Sequence, residues 1–288
     1  MPEEATADNA ELFHALHQRG RIFVLPNPWN IGTAKILAAL GFEALATTSA
    51  GYAFSRGRAD WAGEISRDEA LAHAREIVQA TPLPVSADLE NGFGESPETV
   101  AETVQLAASM GLAGCTIEDT SGNPEKPIYD KNLAIERIAA GAEAVAGLGR
   151  RFVLTARAEN YLHGRPDLDD TIKRLTGYEA VGADVLYAPG LPDLDSIQKV
   201  CAFVSKPVNV VAGIGLAGVT LAELEQAGVT RVSVGSSLAR TALGAMLDAA
   251  REIRDHGTFT AFESAASFSE IERLIGSVAM ASDRKEPL

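Results

Sequence analysis

Asp88 and Glu90 stand two residues apart at the end of a short apolar run, Pro84-Val-Ser-Ala-Asp-Leu-Glu-Asn-Gly-Phe-Gly94. On an extended strand, residues two apart project from the same face, so both carboxylates would meet one location. Side-by-side acids repel unless positive charge, a divalent cation or an arginine, lies between them. The bland account is a solvated strand end. Other apolar runs end in a similar way: Glu118-Asp119 follows 114–117, and Arg157-Ala-Glu159-Asn160 follows 152–156.

Asp88, Glu90 and Glu118 together offer the oxygen donors that Mg2+ prefers. Mg2+ keeps several waters, so one or two of these acids would touch it while the others hold its waters. A surface cluster balanced by Lys and Arg is the alternative. Asp119 points to the opposite face of an extended strand from Glu118 and is expected to be structural. A guanidinium at the end of an apolar strand needs a partner. For Arg157 that is either a ligand carboxylate, held through two parallel bonds, or a salt bridge to Glu118 or Glu90. Ser49-Ala50-Gly51 carries no bulky side chain, so its backbone N–H groups could meet an anion; a tight turn with a capping Ser is the competing account.

The elements that must position these groups follow from a regular alternation. Apolar runs of strand length occur at 22–25, 44–47, 85–87, 114–117, 152–156, 185–187, 208–211 and 231–234. Amphipathic segments lie between them, several closed by a glycine in the position just past a helix: Gly41, Gly111, Gly182 and Gly228. Eight such units in 288 residues without a composition break predict one (β/α)8 TIM-type barrel rather than a doubly wound open sheet. The single domain would span 1–288, with an N-terminal helix over 9–18, a core of about 20–256 and a helical extension over 257–288. Barrel chemistry belongs at the strand ends, where the acids and Arg157 already stand.

A net charge of −14 gives no basic stripe to neutralise phosphates, which argues against nucleic acid. No long apolar span exists and residues 1–9 are polar and acidic, so neither a membrane span nor a signal peptide is expected, and the cytoplasm is the expected compartment. Cys115 and Cys201, far apart in apolar surroundings, read as buried free thiols. His14 and His17 share a helical face without a third ligand and read as surface residues. Gly213-Ile-Gly215-Leu-Ala-Gly218 matches a dinucleotide fingerprint in form but lacks the acid about 20 residues on that would hold a ribose. With Gly235-Ser236-Ser237, that loop could instead hold a phosphate after strands seven and eight. No Ser or Cys occupies a nucleophile elbow.

Pro26-Asn-Pro-Trp-Asn30, Thr48-Ser-Ala-Gly51, Ser86-Ala-Asp-Leu-Glu-Asn-Gly-Phe-Gly94, Ile117-Glu-Asp119 and Thr155-Ala-Arg157 together resemble the isocitrate lyase/phosphoenolpyruvate mutase superfamily, in order from about 21 to 247. The resemblance implies a Mg2+-dependent barrel, with Mn2+ as substitute, acting on a small 2-oxo or 2-hydroxy carboxylic acid. It implies a metal site at Asp88, Glu90, Glu118 and Asp60, the last a loop acid that spacing alone does not single out. It further implies substrate contacts from Ser49, Ala50, Gly51, Arg157 and Asn209, catalytic roles for Arg157 and Asp60, and a homotetramer, a dimer of dimers, exchanging the helix near 241–256 between subunits. The reaction implied is cleavage of a C–C bond through a metal-stabilised enolate, with oxaloacetate-type decarboxylation leading. P–C chemistry, by a mutase or hydrolase, and a non-catalytic 2-oxo-acid binder are the alternatives.

The chain departs from the lyase and mutase branches after the Glu-Asp pair and from the decarboxylating branch near the end of strand eight. The lyases carry Lys-[Lys/Arg]-Cys-Gly-His beyond the Glu-Asp pair, where this chain has Thr120-Ser-Gly-Asn-Pro-Glu-Lys-Pro-Ile128. Cys115 precedes Glu118 and does not substitute. Lys126 and Asn132 do not fall into the mutase spacing, and Ser236 stands near where decarboxylating members would place a His. The proton donor is therefore left without a candidate.

Overall fold

In the computed structural model, which describes residues 8–60, 63–213 and 215–278, eight short parallel strands form one sheet. They are β1 (Phe23–Leu25), β2 (Leu45–Ala46), β3 (Val85–Asp88), β4 (Gly114–Glu118), β5 (Val153–Arg157), β6 (Val185–Tyr187), β7 (Val208–Val211) and β8 (Arg231–Ser233). Ladders join every neighbour from β2 round to β8, and β8 pairs with β1. Between β1 and β2 the Ala46 N–H donates to the Pro26 carbonyl at 3.1 Å, so the barrel closes almost completely. The expected (β/α)8 architecture is thus the observed one, with each strand within a residue or so of its predicted bounds.

The helices follow from their caps. After α1 (Asn9–Gln18), α2 (Ile31–Ala39) opens on an Asn30–Thr33 capping box, and α3 (Ser49–Ser55) on Thr48, whose Oγ1 accepts from the Gly51 N–H at 3.2 Å. The Ser49–Gly51 segment is therefore the first turn of a short helix, and the capping residue is Thr48 instead of Ser49. Next come α4 (Arg67–Ala80), α5 (Pro97–Ser109), α6 (Lys131–Ala146), α7 (Leu168–Ala180), α8 (Leu194–Phe203) and α9 (Leu221–Gln226). Gly111 at φ +85° and Gly182 at φ +108° end α5 and α7 in the left-handed conformation expected of a glycine past a helix. α10 (Ser237–His256) is different. Leu238, Leu243, Met246, Leu247 and Ile253 are exposed along it, and of its own residues only Ala239 is buried. A 310 turn (Thr260–Ser264) and α11 (Phe268–Gly276), which packs on α2, complete the described extension; residues 279–288 lie outside the described chain.

Most buried side chains fill the layer between strands and helices, while a second cluster plugs the lower mouth of the barrel. There Phe13 and His17 of α1 pack edge-on against each other at 4.8 Å, and His17 against Phe23 at 5.0 Å. His17 is buried, which corrects its reading as a surface residue. Its Nδ1 lies 2.8 Å from the Phe13 carbonyl and its Nε2 3.2 Å from Arg231, which has no acceptor to offer. The ring is therefore neutral with the proton on Nδ1, and burial together with Arg231 pushes its pKa down to about 3. Cys115 is buried and Cys201 only half-buried; both are free thiols. Among the described residues no helix is long and apolar enough to cross a membrane.

Asn27 draws the seam together. Its Oδ1 accepts from the Val234 and Gly235 N–H groups at 3.0 and 2.9 Å, and its Nδ2 donates to the Thr47 carbonyl at 2.9 Å. One buried amide thus links the ends of β8, β1 and β2. Asn27→Leu would leave two N–H groups and a carbonyl unpaired, at about 1–3 kcal/mol each. The urea midpoint of this variant should drop by the equivalent of several kcal/mol, and an unchanged midpoint would show that the seam does not depend on the amide.

Candidate functional site

At the upper end of the barrel, strand pairing itself sets the geometry. Glu118 and Arg157 are register partners on β4 and β5, and Arg157 is in turn the partner of Tyr187 on β6. The guanidinium of Arg157 lies over the Tyr187 ring at 5.2 Å. One of its terminal nitrogens is 3.1 Å from Glu118 Oε2 and 3.8 Å from Asp88 Oδ1. Its Nε donates to Glu159 Oε1. Burial opposes the charge on Arg157, but Glu159, Glu118 and Asp88 more than offset that and hold it protonated.

Each acid is fixed by different means. Asp88 Oδ2 accepts from the Ser49 hydroxyl at 3.0 Å and from the Ser49 N–H at 3.3 Å, and its own N–H donates to Thr47 Oγ1 at 3.0 Å. Glu118, buried, accepts from the Thr120 hydroxyl at 2.6 Å. Glu90 does not continue the strand: β3 ends at Asp88, and Glu90 takes φ +49° in the left-handed region, costly for a residue with a Cβ. The same-face argument for Asp88 and Glu90 therefore does not describe the backbone. Both nevertheless reach one electrostatic environment. Burial, then Asp88, Glu118 and Asp60, push the Glu90 carboxyl up to about 8. Burial likewise raises Glu118 and Glu159.

The loop carrying Glu90 is clamped from behind. Arg137 of α6 is buried, donates to the Gly94 carbonyl at 2.6 Å and to the Asn91 and Glu95 carbonyls, and stacks over Tyr129 at 4.3 Å. Asp119 is the structural residue anticipated from its position. It accepts from Arg174 at 2.9 Å, Tyr178 at 2.7 Å and the Glu159 N–H at 2.8 Å. The 120–128 segment folds back through an antiparallel bridge between Thr120 and Ile128. It borders a cavity of about 770 Å³ whose lining includes Glu90, Glu118, Thr120, Asn123, Phe93 and His163.

Of the anticipated residues, Asp88, Glu90, Glu118, Arg157 and Ser49 come together through these contacts, with Asp60 near enough to raise Glu90. Ala50 and Gly51 follow Ser49 in the first turn of α3, the Gly51 N–H being taken by Thr48. Asn209 lies elsewhere, in the interior network of β7 and β8. Its Oδ1 accepts from Arg231 at 2.7 Å and its Nδ2 donates to Ser233 at 3.0 Å, so both ends of its amide are committed within the barrel. Sequence reasoning passed over Glu159 and His163. An acid two residues beyond a buried strand-end arginine, and a histidine in the loop after β5, were the available signals.

The donor set suits Mg2+. Asp88 Oδ1 is buried without a hydrogen bond, and burial, with neighbouring acids, raises three carboxyl groups, which is a demand for positive charge that one guanidinium does not meet. Among the described residues no three ligating side chains converge into a direct cage.

The chain from 13 to 254 matches the family model for phosphoenolpyruvate phosphomutase. A solved structure from Burkholderia cenocepacia, provisionally classed as a lyase/mutase, is 56% identical with a TM-score of 0.89, covering 93% of this chain and 95% of that one. An uncharacterized protein of Mycobacterium tuberculosis, Rv1998c, is 34% identical over 84% of this chain and 89% of its own. The 2-methylisocitrate lyase of Escherichia coli K12 is 30% identical over 67% of this chain and 70% of its own.

Glu90 supplies a pH test. Unfolded, its carboxyl ionises near 4.5; folded and without a cation it holds its proton to about 8. Its contribution to stability is thus complete below about 4.5 and disappears as pH rises through about 8. Thermal melts of metal-free protein should therefore show a fall between pH 5 and 8.5 that Glu90→Gln makes shallower, with Glu118 and Glu159 supplying the remainder, and Mg2+ should stabilise the wild type more as pH rises. A Glu90→Gln profile parallel to the wild type would contradict this.

Proposed function

Because the chain belongs to the phosphoenolpyruvate mutase/isocitrate lyase superfamily, we propose that it is a Mg2+-dependent lyase cleaving a C–C bond of a small 2-oxo or 2-hydroxy carboxylic acid. The observation that carries this reading is the single Arg157 guanidinium set between Asp88 and Glu118, with more carboxyl groups around it than it can neutralise and two of them, Glu90 and Glu118, lining a cavity. Asp88 would touch the cation through Oδ1, and Glu90, Glu118 and Asp60 would hold its waters. The cation would supply positive charge where the oxygen of a 2-oxo group turns into an enolate.

The chain's own groups do the rest. Arg157 offers N–H donors to the ligand's carboxylate or oxo oxygen, held in place by Glu159 from one side and Tyr187 from beneath. Ser49 keeps Asp88 turned so that Oδ2 is occupied and Oδ1 is left for the cation. Thr120 holds Glu118 Oε1, with Oε2 facing Arg157, and ties the strand end to the 120–128 segment. That segment has no Cys, unlike the lyase pattern, so a methylisocitrate-type reaction is not the favoured one, and decarboxylation of an oxaloacetate-like acid comes first. The family description supports P–C bond chemistry as the second reading, since it would use the same enolate-stabilising groups.

A panel of 2-oxo and 2-hydroxy acids with and without Mg2+ tests the proposal. Asp88→Ala and Arg157→Ala should each lower kcat/KM by about 10²–10³-fold, the usual cost of losing an enolate-stabilising donor. Turnover without a divalent cation that survives both substitutions would sink it. Phosphate release from a 2-oxo-phosphonate would move the assignment to the second reading.

The assembly proposed with this function is a homotetramer in which α10 crosses to a neighbouring subunit. Its exposed Leu243, Met246 and Leu247 support that reading, since a helix of this length in a barrel normally buries an apolar face. Light scattering should give a tetramer, and Met246→Asp with Leu247→Asp should give smaller species. A wild type that is monomeric at high concentration would refute the exchange.

A further inference from the structure

We propose that His163 is the catalytic residue that exchanges a proton with C3 of the bound 2-oxo acid, an inference that rests on the lyase reading above. His163 lies in the loop after β5 and lines the same cavity as Glu90, Glu118 and Thr120. Its N–H donates to the Glu159 carbonyl at 3.2 Å, a single turn that brings the ring back toward the Glu159 side chain. There Nε2 stands 3.9 Å from Oε2 of Glu159, whose other oxygen accepts from Arg157. The fully buried carboxyl group of Glu159 thus stands between the Arg157 guanidinium and the His163 imidazole, and His163 borders the cavity that Glu90 and Glu118 line. The loop is anchored further on, where the Arg165 N–H donates to the Asn160 carbonyl and Asn160 Nδ2 to Asp170, each at 2.9 Å.

Elimination within the cavity leads to the same residue. Among the described lining residues there is no Cys, Lys or Tyr, and His163 is the one imidazole. Arg67 does not give up a proton and is paired with Glu102 at 2.7 Å. Asp68 is exposed in the first turn of α4, and Glu90 and Glu118 are assigned to the cation. His163 is a titratable group of the right kind, in a βα loop, with an acid beside its ring.

The step balances simply. When the bond from C3 to its leaving group breaks, the bonding pair stays on the organic fragment and spreads to the 2-oxo oxygen. Protonated His163 then gives its ring proton to C3, the enolate pair forms the new C–H bond, and the N–H pair remains on nitrogen. Solvent restores the ring proton. Run backwards on the 2-oxo product, neutral His163 removes a proton from C3.

Deuterium wash-in reads this reverse step without knowledge of the full substrate. Pyruvate and 2-oxobutyrate would be incubated in D2O with Mg2+ and the full-length protein, and C3 exchange followed by NMR. Oxalate affinity, measured by calorimetry, reports on the enolate-binding groups separately. The wild type should exchange, and His163→Gln should exchange slower by on the order of 10²–10⁴-fold, the span typical of a lost acid–base group, with oxalate affinity retained. His163→Asn, with thermal melts of both variants, guards against a folding defect. Exchange at the wild-type rate in either folded variant, or a wild type that binds oxalate yet does not exchange, would overturn the role of His163. A wild type that binds no oxalate with Mg2+ would overturn the lyase reading and this inference with it.

Discussion

The upper end of this barrel depends on one buried cation among too many acids. Arg157 reaches Glu118 and Asp88 with one nitrogen and Glu159 with another, and beneath it lies the face of Tyr187. A guanidinium so enclosed keeps its charge only because carboxylates surround it, and buried carboxylates keep theirs only if further positive charge arrives. Protons can meet that demand, as the raised Glu90 shows, or a divalent cation can. The fold supplies this imbalance through ordinary strand register: Glu118 and Arg157 are neighbours because β4 and β5 pair in parallel.

Much of this was legible in the sequence because barrel strands announce themselves by apolar runs and their ends by polarity. Asp88, Glu118 and Arg157 are strand-end residues, and the structure places them together as their positions imply. Glu90 shares the surroundings of Asp88 by another route than the i, i+2 spacing implies. An i, i+2 pair on a strand needs the strand to continue, and here the backbone turns into a left-handed residue one step after Leu89. Ser49–Gly51 was read as a turn because small residues at a strand end look alike whether they start a helix or a loop; the cap at Thr48 decides.

What the sequence hid are the residues that act through partners distant along the chain. Arg137 is one of four charged residues in an alanine-rich helix, and nothing near it in sequence indicates that it donates to carbonyls of the 91–95 loop. Asn209, a substrate contact only by resemblance, likewise has partners far along the chain, Arg231 and Ser233, at the two ends of its amide. His17 was misread because the periodicity of one helix does not reveal that the helix plugs the foot of the barrel.

That plug has a consequence for the mouth above it. Arg231 is buried with Asn209, Thr155 and a neutral His17 as its hydrogen-bond partners, and burial lowers its pKa only to about 9, so it is charged at neutral pH. Thr155 stands two residues before Arg157 on β5, which places this lower guanidinium roughly 7 Å of strand beneath the site. A positive charge held in a poorly polarisable interior is only weakly screened. The barrel interior therefore holds a second positive charge beneath the acid-rich strand ends, where it offsets part of the repulsion among those carboxyl groups.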